Sequence, residues 1–296
     1  MSSRSNRDRL KAPDADESIG LDLNDTKSQE NKTQGLHFTV PTEFVDLPSG
    51  GRYYQKGHPL HNVTSVEMRH MTAKEEDILV SESLIQKGVV IDRLLQSLLV
   101  DDRIDLSNLL SGDKSALTVA ARITGYGPDY RTSVDCPSCG AKQEFTFDLN
   151  KGVNVGACAD ADELNEAIEG VEATENGTFL IDLPKSGHTV EIRLLTSKDE
   201  LELEKFQEKR KKRGLENSSF LTDTLKSMII AVGDITDRSS IQQFVETMPA
   251  IDSRYLREIY RNLVPSVDLT QEFSCSKCDF RQDLEVPVNI EFFWPR

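Results

Sequence analysis

The sequence predicts an α+β fold built from two pseudo-repeated units, each made of short β elements and helices and ending in a Cys-x-x-Cys knuckle and a strand, joined by a shared zinc-ribbon-like site. Three observations predict it: an internal echo at constant spacing, one Cys-x-x-Cys pair in each half, and apolar patterns that switch between alternation and helical periodicity. The implied organisation is a polar tail over residues 1–35, a first unit over 36–150, an acidic linker over 151–178 and a second unit over 179–296.

The tail carries Arg4, Arg7, Arg9 and Lys11 followed by a Ser/Asn/Asp-rich run with few apolar residues, too few to offset the entropy of ordering. The first unit opens on Leu47-Pro48-Ser49-Gly50, a turn, and then on the alternating stretch Val66 to Arg69, a strand. Thr72 with Glu75 three residues on forms a capping-box start for a helix. The second unit repeats this with Leu183-Pro184-Lys185-Ser186-Gly187, Val190 to Arg193, and Thr196 with Asp199, at an offset of 124 from Val66 to Glu76. Asp113, Leu117, Arg122, Cys136, Cys139, Phe145, Phe147 and Leu149 meet Asp252, Leu256, Arg261, Cys275, Cys278, Leu284, Val286 and Val288 at an offset of 139. The second copy is thus 15 residues longer between the two registers, a gain placed in the charged region Leu201 to Ser219. Helices follow Asp113 and Asp252 and cover Ile241 to Met248, where apolar residues recur at helical spacing.

Cys136-Pro-Ser-Cys139 and Cys275-Ser-Lys-Cys278 have the spacing with which two thiolates converge on one tetrahedral ion, and four sulfurs close the shell with no open position. The expected ion is one structural zinc per chain. A pair of redox-active dithiols is the alternative. A thioredoxin-like motif opens a helix after a strand, whereas strand-forming residues follow each pair here. The 136 positions between Cys139 and Cys275 are long for a compact ribbon, and a duplication explains them, each half bringing one knuckle. Cys158, in the acidic linker, reads as a spectator thiol. His37, His58, His61, His70 and His188 lie outside the knuckles, and the His58/His61 pair has no nearby partner at ligand spacing.

Composition narrows the function. Thirty-five Lys plus Arg against fifty Asp plus Glu give a net charge of −15, which repels phosphate backbones and anionic membranes. No apolar stretch approaches the length of a membrane span, and the polar start has no apolar signal region, so a cytosolic setting is expected. No Gly-rich phosphate loop, nucleophile elbow or His-Glu-x-x-His is present, so neither catalysis nor a small-molecule substrate is expected. Lys209 to Arg213 is a basic run at the end of an acidic helical stretch, found in one copy only; it reads as a solvated helix end or a contact for an acidic partner. The terminal Phe292, Phe293 and Trp294 are the second candidate contact, beside the favoured reading that they pack on the chain's own fold.

Leu47-Pro48-Ser49-Gly50, the segment Met68 to Leu79, Gly112-Asp113, the turn Arg122 to Gly127 and the first knuckle resemble the baseplate hub proteins of T-even-type contractile-tailed bacteriophages, from about residue 36 to the end. The resemblance implies a part in building the central hub of a tail baseplate, as a component or an assembly factor, with other tail proteins as partners and the host cytoplasm or the virion tail as location. The rival class is a zinc-ribbon adaptor of phage transcription or replication, which more often shows a basic face than a charge of −15.

Overall fold

The computed structural model describes residues 39–155, 170–212, 220–287 and 290–293. Val40–Arg296 form one compact unit, and a single contiguous apolar core runs through both halves of it.

In the first half, β1 (Thr42–Asp46) pairs antiparallel with β2 (Ser65–Arg69), with Val45 opposite Val66. Three helices follow, α1 (Ala73–Leu79), α2 (Glu82–Gln86) and α3 (Val90–Leu98), the last burying Val90, Leu94, Leu95 and Leu98 at 3.6-residue spacing. Helix α4 (Ser111–Tyr126) leads through Gly127, at φ +82°, into the hairpin β3 (Asp129–Asp135) and β4 (Lys142–Asp148), and β5 (Val153–Val155) closes the half.

The second half begins with β6 (Val171–Ala173), β7 (Thr178–Asp182) and β8 (Thr189–Arg193), which with β9 (Ile229–Val232) make an antiparallel sheet in sequence order. Between β8 and β9 lie α5 (Ser197–Lys212) and α6 (Phe220–Met228); α7 (Arg238–Thr247) and α8 (Ala250–Leu263) follow. Strand β10 (Ser266–Asp268) pairs with β5 across the halves, and β11 (Gln271–Ser274) with β12 (Arg281–Leu284) forms the second hairpin. A 3-10 turn, Ile290–Phe293, ends the described chain. The interval 151–178, expected to be a linker, carries β5 and β6 at its ends; the short acidic helix suggested there, and Cys158, fall in 156–169, outside the described residues.

Matched spacings recur in the elements. β2 begins at Ser65 and β8 at Thr189, α1 at Ala73 and α5 at Ser197, each 124 positions apart. α4 begins at Ser111 and α8 at Ala250, β4 at Lys142 and β12 at Arg281, each 139 apart. Helix α5 has 16 residues where α1 has seven. Buried carboxylates follow the same pattern. Asp113 accepts from Ser49 N (2.9 Å), Ser49 Oγ (2.6 Å) and the Tyr54 hydroxyl (2.6 Å), while Asp252 accepts from Lys185 N (2.8 Å) and Ser186 N (2.9 Å). In each half an Asp in the first turn of a helix therefore ties down the Pro/Gly turn that precedes a strand.

The helix starts are matched too. Thr72 N donates to Glu75 (3.0 Å), and Thr196 N and Oγ1 both donate to Asp199 (2.8 Å). Asp199 also receives the Arg193 guanidinium in a fork, at 2.7 and 2.8 Å. Burial works against its charge, but the Arg193 and Thr196 hydrogen bonds prevail and hold the carboxyl at about 2. The folded value lies below the ordinary one, so this stabilisation is complete above the unfolded pKa and is lost as pH falls toward 2. Asp199→Ala is expected to cost about 1–2 kcal/mol at neutral pH, with the gap to the parent narrowing between about pH 4 and pH 2 in denaturant titrations.

Candidate metal centre

Each Cys-x-x-Cys forms the tip of a β-hairpin. Cys136 follows the last residue of β3, and Cys136 N donates to Ala141 O (3.0 Å) across the loop; Cys275 follows β11, and its N–H donates to Phe280 O (3.0 Å). The first loop closes with Gly140 N on Cys136 O (2.8 Å), at a Gly140 φ of +67° that disfavours a side chain. Strands rather than helices follow both pairs, as the flanking alternation predicted.

The two tips meet. Cys136 Sγ lies 3.8 Å from Cys278 Sγ, Cys139 Sγ lies 3.8 Å from Cys275 Sγ, and all four sulfurs fall within 4.8 Å of one another. A tetrahedral ion with metal–sulfur bonds of about 2.3 Å has sulfur–sulfur edges of about 3.8 Å, whereas a disulfide bond measures about 2.05 Å. The donor set therefore fits a four-coordinate thiophilic cation, with two sulfurs from each half. Cys136 is buried and Cys139 exposed, so the cluster sits at the rim of the fold with one flank open to water. Among the described residues it is the one group of metal-ligating side chains that converges in this way.

Backbone N–H groups act on two of the thiols. The Lys277 N–H, 3.4 Å from Cys275 Sγ, draws that thiol down to about 7. The Phe280 N–H acts downward on Cys278, yet burial and the neighbouring thiols push it up to about 12.

The hairpins are locked together by two glutamines that sequence reasoning did not single out. Gln143 on β4 donates to Ser274 O (3.0 Å) and accepts from Ser276 N (2.8 Å) and Ser276 Oγ (3.0 Å). Gln271 on β11 accepts from Asp148 N (3.0 Å) and donates to Asp148 O (2.8 Å). Phe145 and Phe273 meet edge to face beneath, with centroids 5.5 Å apart. One signal was available: each glutamine lies on a strand that flanks a knuckle.

The other singled-out residues lie elsewhere. His58 stacks on Tyr54 at 4.4 Å, and His61 Nδ1 lies 2.6 Å from Tyr54 O, so this pair packs on its own loop, away from the cysteines. Lys209 to Lys212 end α5, a helix with no buried residue; Arg213 is outside the described residues. Arg210 lies 5.6 Å over the Phe206 ring and 3.9 Å from Asp223, and Lys212 pairs with Glu208 at 3.8 Å, the i,i+4 contact anticipated from sequence.

The two terminal phenylalanines pack on the chain's own fold, as favoured from sequence, and it is their reading as a contact surface that needs correction. Phe292 and Phe293 are buried at 0% and 1% exposure, and Trp294 lies outside the described residues. Arg122 is the reason for the docking: its guanidinium, itself fully buried, donates to Phe292 O (2.8 Å), Gly127 O (2.7 Å) and Asp129 O (3.3 Å), and Phe292 meets Tyr130 edge to face. Two aromatics on this scale are worth more in the core than at a surface.

Among the described residues no helix is long and apolar enough to cross a membrane. A protein-family model described as T4 bacteriophage base plate protein matches residues 40–294. No curated protein and no solved structure gives a significant match.

Proposed function

Because the chain belongs to the T4 bacteriophage base plate protein family, we propose that it acts without catalysis, as a component or assembly factor of the central hub of a phage tail baseplate. It works through contacts with other tail proteins, in the host cytoplasm during assembly or in the finished tail. One structural zinc, held by Cys136, Cys139, Cys275 and Cys278, fastens its two halves.

The observation that carries the metal reading is the meeting of four sulfurs from positions more than a hundred residues apart at distances that suit one tetrahedral ion. Four thiolates leave no coordination position for substrate, so zinc here would supply rigidity and no Lewis-acid chemistry. The redox alternative loses ground because each Cys-x-x-Cys opens onto a strand, without the helix N-terminus that lowers a reactive thiol's pKa.

The halves are copies of one unit that arose by duplication. The matched element starts, the paired Asp113 and Asp252, and the paired helix caps support this, since unrelated elements have no reason to keep both spacing and hydrogen bonding. The insertion in the second copy lengthens α5 beyond its counterpart α1, and the basic end Lys209 to Lys212 of that extension is a contact surface that the first copy lacks.

Co-expression with the hub-region proteins of its own phage tests the reading. The intact chain is expected to co-purify with at least one of them, and neutralising Lys209 to Lys212 is expected to weaken that capture without unfolding the protein, because none of these side chains is buried. A chain that captures no tail protein yet shifts duplex DNA at physiological salt would replace this function with the adaptor reading.

A further inference from the structure

Helix α8 presents a row of three arginines outside any ion pair among the described residues. Its inner face buries Asp252, Leu256, Ile259 and Leu263. On the opposite side Arg254, Arg257 and Arg261, at i, i+3 and i+7, fall within an arc of about 60° and span about 10 Å along the axis. All three are exposed, and among the described residues none makes an ion pair. Arg257 Nε donates to Ser253 O (3.1 Å), one turn back along the same helix. With Glu258 the three arginines border an open concavity of about 520 Å³. One turn toward the helix start, Ile251 stands 63% exposed beside the row.

In a chain of net charge −15 such a row is a local inversion of sign. Like charges spaced along one helix face repel one another and contribute nothing to folding, so their arrangement is better suited to a ligand than to the isolated chain. Planar guanidinium forks on a rigid helix match carboxylates, which they bind in bidentate fashion. A long phosphate backbone would meet the repulsion of the remaining surface, whereas a short acidic segment meets only the row.

We propose that the Arg254, Arg257 and Arg261 row of α8 docks an acidic segment of another baseplate protein, one that carries an apolar residue one turn beyond its carboxylates to cover Ile251. The proposal rests on the protein-contact function given above and names the surface and the chemistry of the partner.

The test uses the full-length chain co-expressed with the hub-region proteins of its phage. R254Q/R257Q/R261Q removes the row, and R254K/R257K/R261K keeps its charge while making each position open to zero-length carbodiimide coupling with carboxylates. The glutamine variant is expected to recover one of the captured proteins at least about tenfold less well, with reduced dependence on salt. The lysine variant is expected to retain capture and to cross-link from positions 254, 257 or 261 to Asp or Glu of that protein. If the glutamine variant captures every partner as the parent does, with the same salt dependence, the docking surface is refuted while the wider function stands. If the row is needed only for retention of a duplex oligonucleotide, the acidic-segment proposal is refuted. If the parent itself captures no tail protein, the wider function fails first and takes the proposal with it.

Discussion

Cys139→Ser or Cys275→Ser is expected to abolish stoichiometric metal binding and to lower the free energy of unfolding by on the order of 5 kcal/mol. Structural zinc binds zinc-finger peptides with about 10–16 kcal/mol of apparent free energy, all of it folding energy because the apo peptide has no core. This protein has a core of its own running through both halves, so a smaller share of the binding energy appears as lost stability. The loss should concentrate where the metal acts, at the two hairpin tips, which are otherwise held by the Gln143 and Gln271 bridges and by the Phe145–Phe273 contact. A chelator should bring the parent down to the level of the variants and leave the variants unchanged. Acidification should release the metal, because each thiolate must regain a proton. Cys158→Ser, outside the knuckles, should behave as the parent.

Asp113→Ala is expected to be the most damaging substitution away from the metal, at about 3 kcal/mol or more. It leaves the Ser49 N–H, the Ser49 hydroxyl and the Tyr54 hydroxyl without their acceptor inside the core, and each buried orphan donor costs about 1–3 kcal/mol when nothing replaces the lost bond. Tyr54 also accepts from Leu110 N at 3.1 Å, so the start of α4 is disturbed as well. Asp252→Ala, which strands two backbone donors, should cost about 2 kcal/mol. The two carboxylates should differ in pH dependence. Burial pushes Asp113 above the ordinary value, so its contribution is present below the unfolded pKa and is lost as pH rises through the folded one. At Asp252 burial acts upward but the turn's hydrogen bonds prevail and hold it below the ordinary value, so its contribution is lost as pH falls. Denaturant titrations of parent and single variants between about pH 3 and pH 8 read both signs.

Much of this was legible in the sequence, for identifiable reasons. Constant offsets gave the positions of β2 with β8 and α4 with α8, because a helix cap and a turn are short-range signals that survive without their surroundings. The convergence of Cys136 and Cys139 with Cys275 and Cys278 followed from ligand spacing alone. Pairings that depend on distant partners could not be read. β5 has three residues and exists because β10 lies beside it, and β9 hides in the apolar run that ends α6, where a short buried strand and a helix share the same pattern. The choice between an inward and a partner-facing terminus could not be fixed for the same reason: nothing near Phe292 in sequence announces that Arg122, 170 positions away, will hold its carbonyl. The role of Arg122 depends on three carbonyl groups that only the folded chain assembles.

The claim on which the rest depends is that the two halves are fastened by one metal ion on four sulfurs. Elemental analysis of the purified full-length chain, with protein concentration measured independently, tests it most directly. One zinc per chain, falling to none in both Cys139→Ser and Cys275→Ser, is the predicted result; a parent protein with no metal, or with two ions, would contradict the account.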